Sequence, residues 1–127
     1  MSDLRTPIKI ARGLGSARHG AHHFMVQRIT AVALIGLCIW FVWLVLTMLH
    51  SDYAAAHALI ARPLNAVLMI AFLVALFWHT QLGLQVVVED YVHTRWLELS
   101  LQILIKFLCF LGGAASVLAV IRIALGS

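Results

Sequence analysis

Charge is what this sequence has least of. Asp, Glu, Lys and Arg supply 11% of its 127 residues, against about 25% in soluble domains. That deficit excludes a surface covered by water. With 63% hydrophobic residues and a mean hydropathy of +0.99, one domain of this length cannot bury its apolar surface within itself. Lipid or partner subunits must cover it. Only five residues are acidic, and all lie outside the expected membrane core, which leaves little for proton pumping or ion coupling. Cysteine is limited to Cys38 and Cys109. Both sit in apolar runs, make no CxxC or metal-type spacing, and read as small buried hydrophobes. G-x-S-x-G, P-loop and H-E-x-x-H patterns are absent, and with them the hydrolytic and phosphoryl-transfer chemistries they carry. The first 20 residues have neither an apolar h-region nor a small-residue cleavage site, so insertion is expected to rely on the first span itself.

What the chain does have is three long apolar runs. About 20 apolar residues cross a bilayer as a helix. The runs predict an all-α fold of three transmembrane helices near residues 24–49, 63–88 and 99–125 in one membrane-anchor domain. Residues 1–22 are polar, with Pro7, Gly13, Gly15 and Gly20, and read as an irregular segment at the membrane surface or on a partner. Within it, His19, His22 and His23 are either interfacial polar residues or part of a metal site, though no carboxylate or cysteine accompanies them. The short segment 50–62 carries Ala54–Ala56, a possible helical turn. Pro63 suits the first turn of a helix, where its missing N–H costs nothing.

The net charge is +4 and the pI about 9.7. Arg5, Lys9, Arg12 and Arg18 all precede the first run. That is the positive-inside pattern of a membrane protein rather than the basic groove of a nucleic-acid binder. It places the N-terminus on the cytoplasmic side. Three spans then return the 89–98 segment to the same side, together with Arg28, Asp90, Tyr91 and Lys106. Trp96 fits an interfacial aromatic anchor. Gly112-Gly113-Ala114-Ala115-Ser116 offers a small-residue surface for close helix packing.

Ionisable residues within a span are costly and mark function by default. His79 lies 11 residues before Asp90, about 16 Å along a helix axis, and so well inside the hydrocarbon. Eleven residues also return to nearly the same helix face, with Gly83 and Val86 on the stripe between. A glycine beside a histidine leaves room for a flat macrocycle, and imidazole is a common axial haem ligand. A histidine hydrogen-bonded to a neighbouring helix satisfies the same spacing. No other histidine lies mid-span, so the second ligand of a six-coordinate haem would come from a partner. Tyr91 at headgroup level could donate to a quinone carbonyl with Asp90 assisting, or the pair could simply end a helix. Arg28 could meet a haem propionate or Asp90, or snorkel to the interface.

Two stretches together resemble a known family. His79-x-Gln81-Leu82-Gly83-Leu84-Gln85-Val86-Val87-x-Glu89-Asp90-Tyr91-Val92-His93 is one. The other runs from Gly15-Ser16-Ala17-Arg18-His19-Gly20 through His22-His23 to Gln27-Arg28-Ile29-Thr30. Both are similar to the hydrophobic membrane-anchor (D) subunits of succinate dehydrogenase, respiratory complex II. Phe24 departs mildly from the tryptophan that many relatives carry there. The resemblance implies a heteromeric helix bundle with a flavoprotein (FAD), an iron–sulfur subunit and a cytochrome b membrane subunit. It implies one haem b between the two membrane subunits with His79 as one axial ligand. It implies ubiquinone hydrogen-bonded by Tyr91 beside Asp90, with Arg28 near the propionates and quinone. Electrons from succinate would pass through FAD and the clusters to ubiquinone at the bacterial inner membrane. Two other readings stay open: a haem-free structural anchor, and a small transporter or assembly factor.

Overall fold

The computed structural model describes Pro7 and residues 18–126. Among these there are four helices and no strands: α1 Arg18–Met48, α2 Tyr53–Ala61, α3 Pro63–Tyr91 and α4 Arg95–Ala124. α1, α3 and α4 have 31, 29 and 30 residues. At 1.5 Å per residue each is about 45 Å long, beyond the ~30 Å hydrocarbon core. Each contains a segment apolar and long enough to cross a membrane.

The helices run further into the polar flanks than the sequence suggested. α1 starts at Arg18, so residues 18–22, expected to be irregular, are helical; the rest of that segment, apart from Pro7, lies outside the described residues. α3 continues through Glu89, Asp90 and Tyr91, and α4 begins at Arg95. The expected 89–98 segment thus shrinks to Val92–Thr94. The cause is common to both ends. Polar side chains at the interface do not by themselves end a helix, and near lipid the backbone gains by keeping its hydrogen bonds internal.

Residues 53–61 form a nine-residue helix rather than a turn. Asp52 caps it, accepting from the Ala55 N–H at 2.8 Å, which satisfies one of the unpaired N-terminal donors. Arg62 ends α2 and precedes α3 with φ −59° and ψ 134°. That extended geometry is what a following proline enforces, and Pro63 occupies the first turn of α3. Buried Asn65 bridges the corner, its Nδ2 donating to the Leu59 carbonyl at 2.8 Å.

α3 is the middle helix, packed on α1 along one side and on α4 along another, while α2 touches the start of α3 and part of α4. The α1–α3 pairing is antiparallel: Phe41 stacks on Phe72 at 4.7 Å, and Thr30, further toward the α1 start, meets His79, further toward the α3 end. A three-residue connection forces α4 to run back beside α3. The start of α1, the end of α3 and the start of α4 therefore share one end of the molecule.

The buried cluster is small: Leu34, Leu44, Ala66, Met69, Phe72 and Val120. At most 17% of any spanning window is buried within the chain. Residues such as Ile39, Phe107 and Phe110 are 61–72% exposed. Most apolar surface thus faces outward, to lipid or to other subunits. Cys38 is also exposed, contrary to its reading as a buried residue, while Cys109 is half-buried. Both belong to helix faces that the chain does not cover itself.

Candidate functional site

α1 and α3 face each other with matched stripes. On α1, Gly20, His23, Gln27 and Thr30 recur at three- and four-residue spacing, as do His79, Leu82, Gln85, Val86 and Glu89 on α3, so each set lies along one helix face. Six of them with Gly20 line a cleft of about 260 Å³: His23, Gln27, Leu82, Gln85, Val86 and Glu89. Gln85 donates to Glu89 at 2.9 Å along its rim.

At the inner end of this seam lies His79, half-buried. Its Nδ1 is 3.2 Å from Thr30 Oγ1. The threonine hydroxyl also lies 2.9 Å from the Val26 carbonyl and 3.0 Å from the Gln27 carbonyl. Beside it, a Cβ built on Gly83 would meet nothing within 4 Å. Among the described residues, no group of this chain fills the position one turn from the histidine, as is also true at Gly20 and Gly36. An imidazole with one nitrogen tied to its own chain and a glycine gap beside it suits a planar group bound at its other nitrogen. One such imidazole beside a glycine would be compatible with a haem, any further ligand coming from another chain. Among the described residues no three His, Cys, Asp or Glu side chains gather as a metal site. His22 and His23 have rings 6.2 Å apart and are exposed; the His19 side chain lies outside the described residues.

Asp90 and Tyr91 end α3, both exposed, Tyr91 by 79%. Asp90 shares its helix face with His79, as the 11-residue spacing required, one membrane leaflet further out. Arg28 is exposed and lies over the ring of Phe24, 4.7 Å from its centroid. Two residues from Thr30, it points about 200° around the helix from the His79 seam. It shares the Asp90 end, but no ion pair joins the two among the described residues. Lys106 is exposed on α4, in a second, mostly apolar groove of about 580 Å³ between α3 and α4 that also includes Trp78 and Gln81.

In the sequence, Gln27, Thr30, Gln85 and Glu89 stand out only as parts of the two family-like stretches, and His23 only as a member of the histidine-rich cluster. Their three- and four-residue spacing was the available signal. It becomes specific only when the two stripes are known to face each other.

Residues 2–113 match the family described as the succinate dehydrogenase/fumarate reductase transmembrane subunit. Similar proteins include a succinate dehydrogenase hydrophobic membrane anchor subunit of Rickettsia bellii, 34% identical over 93% of this chain and 94% of the relative. A protein with the same description from Paracoccus denitrificans is 29% identical over 96% of this chain and 94% of its own length. Another, from Coxiella burnetii, is 30% identical over 73% and 81%.

Proposed function

This chain belongs to the succinate dehydrogenase/fumarate reductase transmembrane subunit family, and from that membership we propose that it anchors a succinate:ubiquinone oxidoreductase and supplies one haem b ligand and part of the ubiquinone site. Its bare apolar faces suit a bundle completed by a cytochrome b membrane subunit. The iron–sulfur and flavoprotein subunits, carrying the clusters and FAD, dock on the membrane face at the Tyr91 end. That end is the cytoplasmic side of a bacterial inner membrane.

The observation that carries the reading is the pairing of His79 with Thr30 beside the gap at Gly83. His79 would hold the haem iron, and Arg28, turned away from the His79 seam at the Asp90 end, would reach a propionate or the quinone. When bound, the haem supplies a one-electron redox centre within the membrane. At the surface, the Tyr91 hydroxyl donates to a ubiquinone carbonyl oxygen. That favours charge building on the oxygen as the quinone takes up two electrons and two protons. Asp90 stands beside it to orient a partner cation or pass a proton. The remaining half of each site comes from other chains.

The test is a reduced-minus-oxidised spectrum of the natively purified complex. His79→Ala is expected to remove or shift the b-type signal. An unchanged spectrum and haem content would assign His79 to packing and make the chain a haem-free anchor, the one competing reading that a Thr30–His79 hydrogen bond also serves.

A further inference from the structure

We propose that Thr30 is a positioning residue for His79. It fixes the tautomer with the proton on Nδ1, leaves the Nε2 lone pair for the iron, and thereby tunes the haem potential. The inference rests on the proposed ligand role of His79.

Counting hydrogens assigns the donor and acceptor roles. A threonine hydroxyl has one hydrogen to donate and lone pairs to accept with. Thr30 Oγ1 lies 2.9 Å from the Val26 carbonyl and 3.0 Å from the Gln27 carbonyl, and carbonyls can only accept. The single hydroxyl hydrogen is therefore committed to its own helix, a common arrangement for threonine in helices. What remains toward His79, at 3.2 Å, is a lone pair. The partner able to use it is an Nδ1–H. A neutral imidazole protonated at Nδ1 has its only free lone pair on Nε2, the atom a metal needs.

An acceptor on the non-ligating N–H of a metal-bound histidine orients the ring and raises its basicity. A more basic ligand favours the higher charge of ferric iron. Thr30 is thus expected to hold the potential lower than an apolar residue would. It acts through His79 and touches no reacting atom.

The test uses the purified complex. In Thr30→Val and Thr30→Ala, which lack the acceptor, the haem midpoint potential is expected to rise and the ferric low-spin EPR signal to shift, with succinate oxidation by artificial acceptors unchanged. Thr30→Ser should return both toward wild type. Two results overturn the proposal: wild-type potential and EPR signal in both the valine and alanine variants, or an equal shift in the serine variant, which would assign the effect to packing. His79→Ala run alongside separates the two levels. Haem lost or shifted there, with Thr30 variants unaltered, sinks only the positioning role. Wild-type haem there sinks the ligand reading itself.

Discussion

The ring of Phe77 on α3 lies against Gly112 on α4 so closely that a Cβ at that glycine would come within 2.9 Å of Cε1. At Gly113 the same ring leaves 3.5 Å, ordinary van der Waals contact. Two adjacent glycines thus differ in what they tolerate. Gly113→Ala is expected to be near neutral. Gly112→Ala must tilt the ring and should cost about 1 kcal/mol or more, the low end of overpacking. Phe77→Leu in the Gly112→Ala background should recover part of it. Thermal stability of the detergent-purified complex checks this, and equal effects at the two glycines would contradict it.

Phe41 and Phe72 stack with an interplanar angle of 14°. Such pairs contribute about 0.5–1.5 kcal/mol beyond the area they bury. A double-mutant cycle with Phe41→Leu and Phe72→Leu should return a coupling of that size. Additive losses would mean that the two rings merely fill volume.

Asn65 pins the α2–α3 corner through one hydrogen bond to the Leu59 carbonyl. Removing a buried donor leaves its acceptor unpaired, at about 1–3 kcal/mol. Asn65→Leu should lower the thermal midpoint. Asn65→Asp should lower it more, because a carboxylate sets a second acceptor against the carbonyl. The reverse order would show that the amide donor is not what counts.

Tyr91→Phe keeps the ring and removes the hydroxyl. Under the proposed function, quinone reduction should fall at least tenfold, about 1.4 kcal/mol of lost stabilisation. Succinate oxidation by artificial acceptors should stay intact. Equal loss of both would argue for a structural role.

Orientation is open to direct test. Of nine Lys and Arg residues, only Arg62 and Arg122 fall at the α2 end; the other seven precede α1 or belong to the opposite end. By the positive-inside rule, a cysteine at His93 should be labelled by an impermeant thiol reagent only from the cytoplasmic face, and one at Ser51 only from outside. The background needs Cys38→Ser, since that residue is itself exposed. Swapped labelling would invert the topology.

How much of this was legible in advance varies by element. The three spans were visible because a bilayer demands length and apolarity, and both are local properties. Pro63 gave its position in α3 away through its missing N–H. The helices extend beyond their apolar runs to Arg18, Tyr91 and Arg95 because polar residues there mark the interface without breaking the helix. The nine residues of α2 were underestimated, since its cap at Asp52 is a single short-range bond.

By itself, the chemistry of the chain determined that it spans a membrane three times and carries one imidazole at depth. A polar end lies on the same helix face, because 11 residues return to the same azimuth. Only the tertiary structure decided which helix that imidazole faces. Placing α3 between α1 and α4 set Thr30 opposite His79 and turned Arg28 away from it. Helical periodicity fixes directions within one helix. The rotation of one helix against another is set by the packing of side chains such as Phe41 on Phe72 and Phe77 on Gly112.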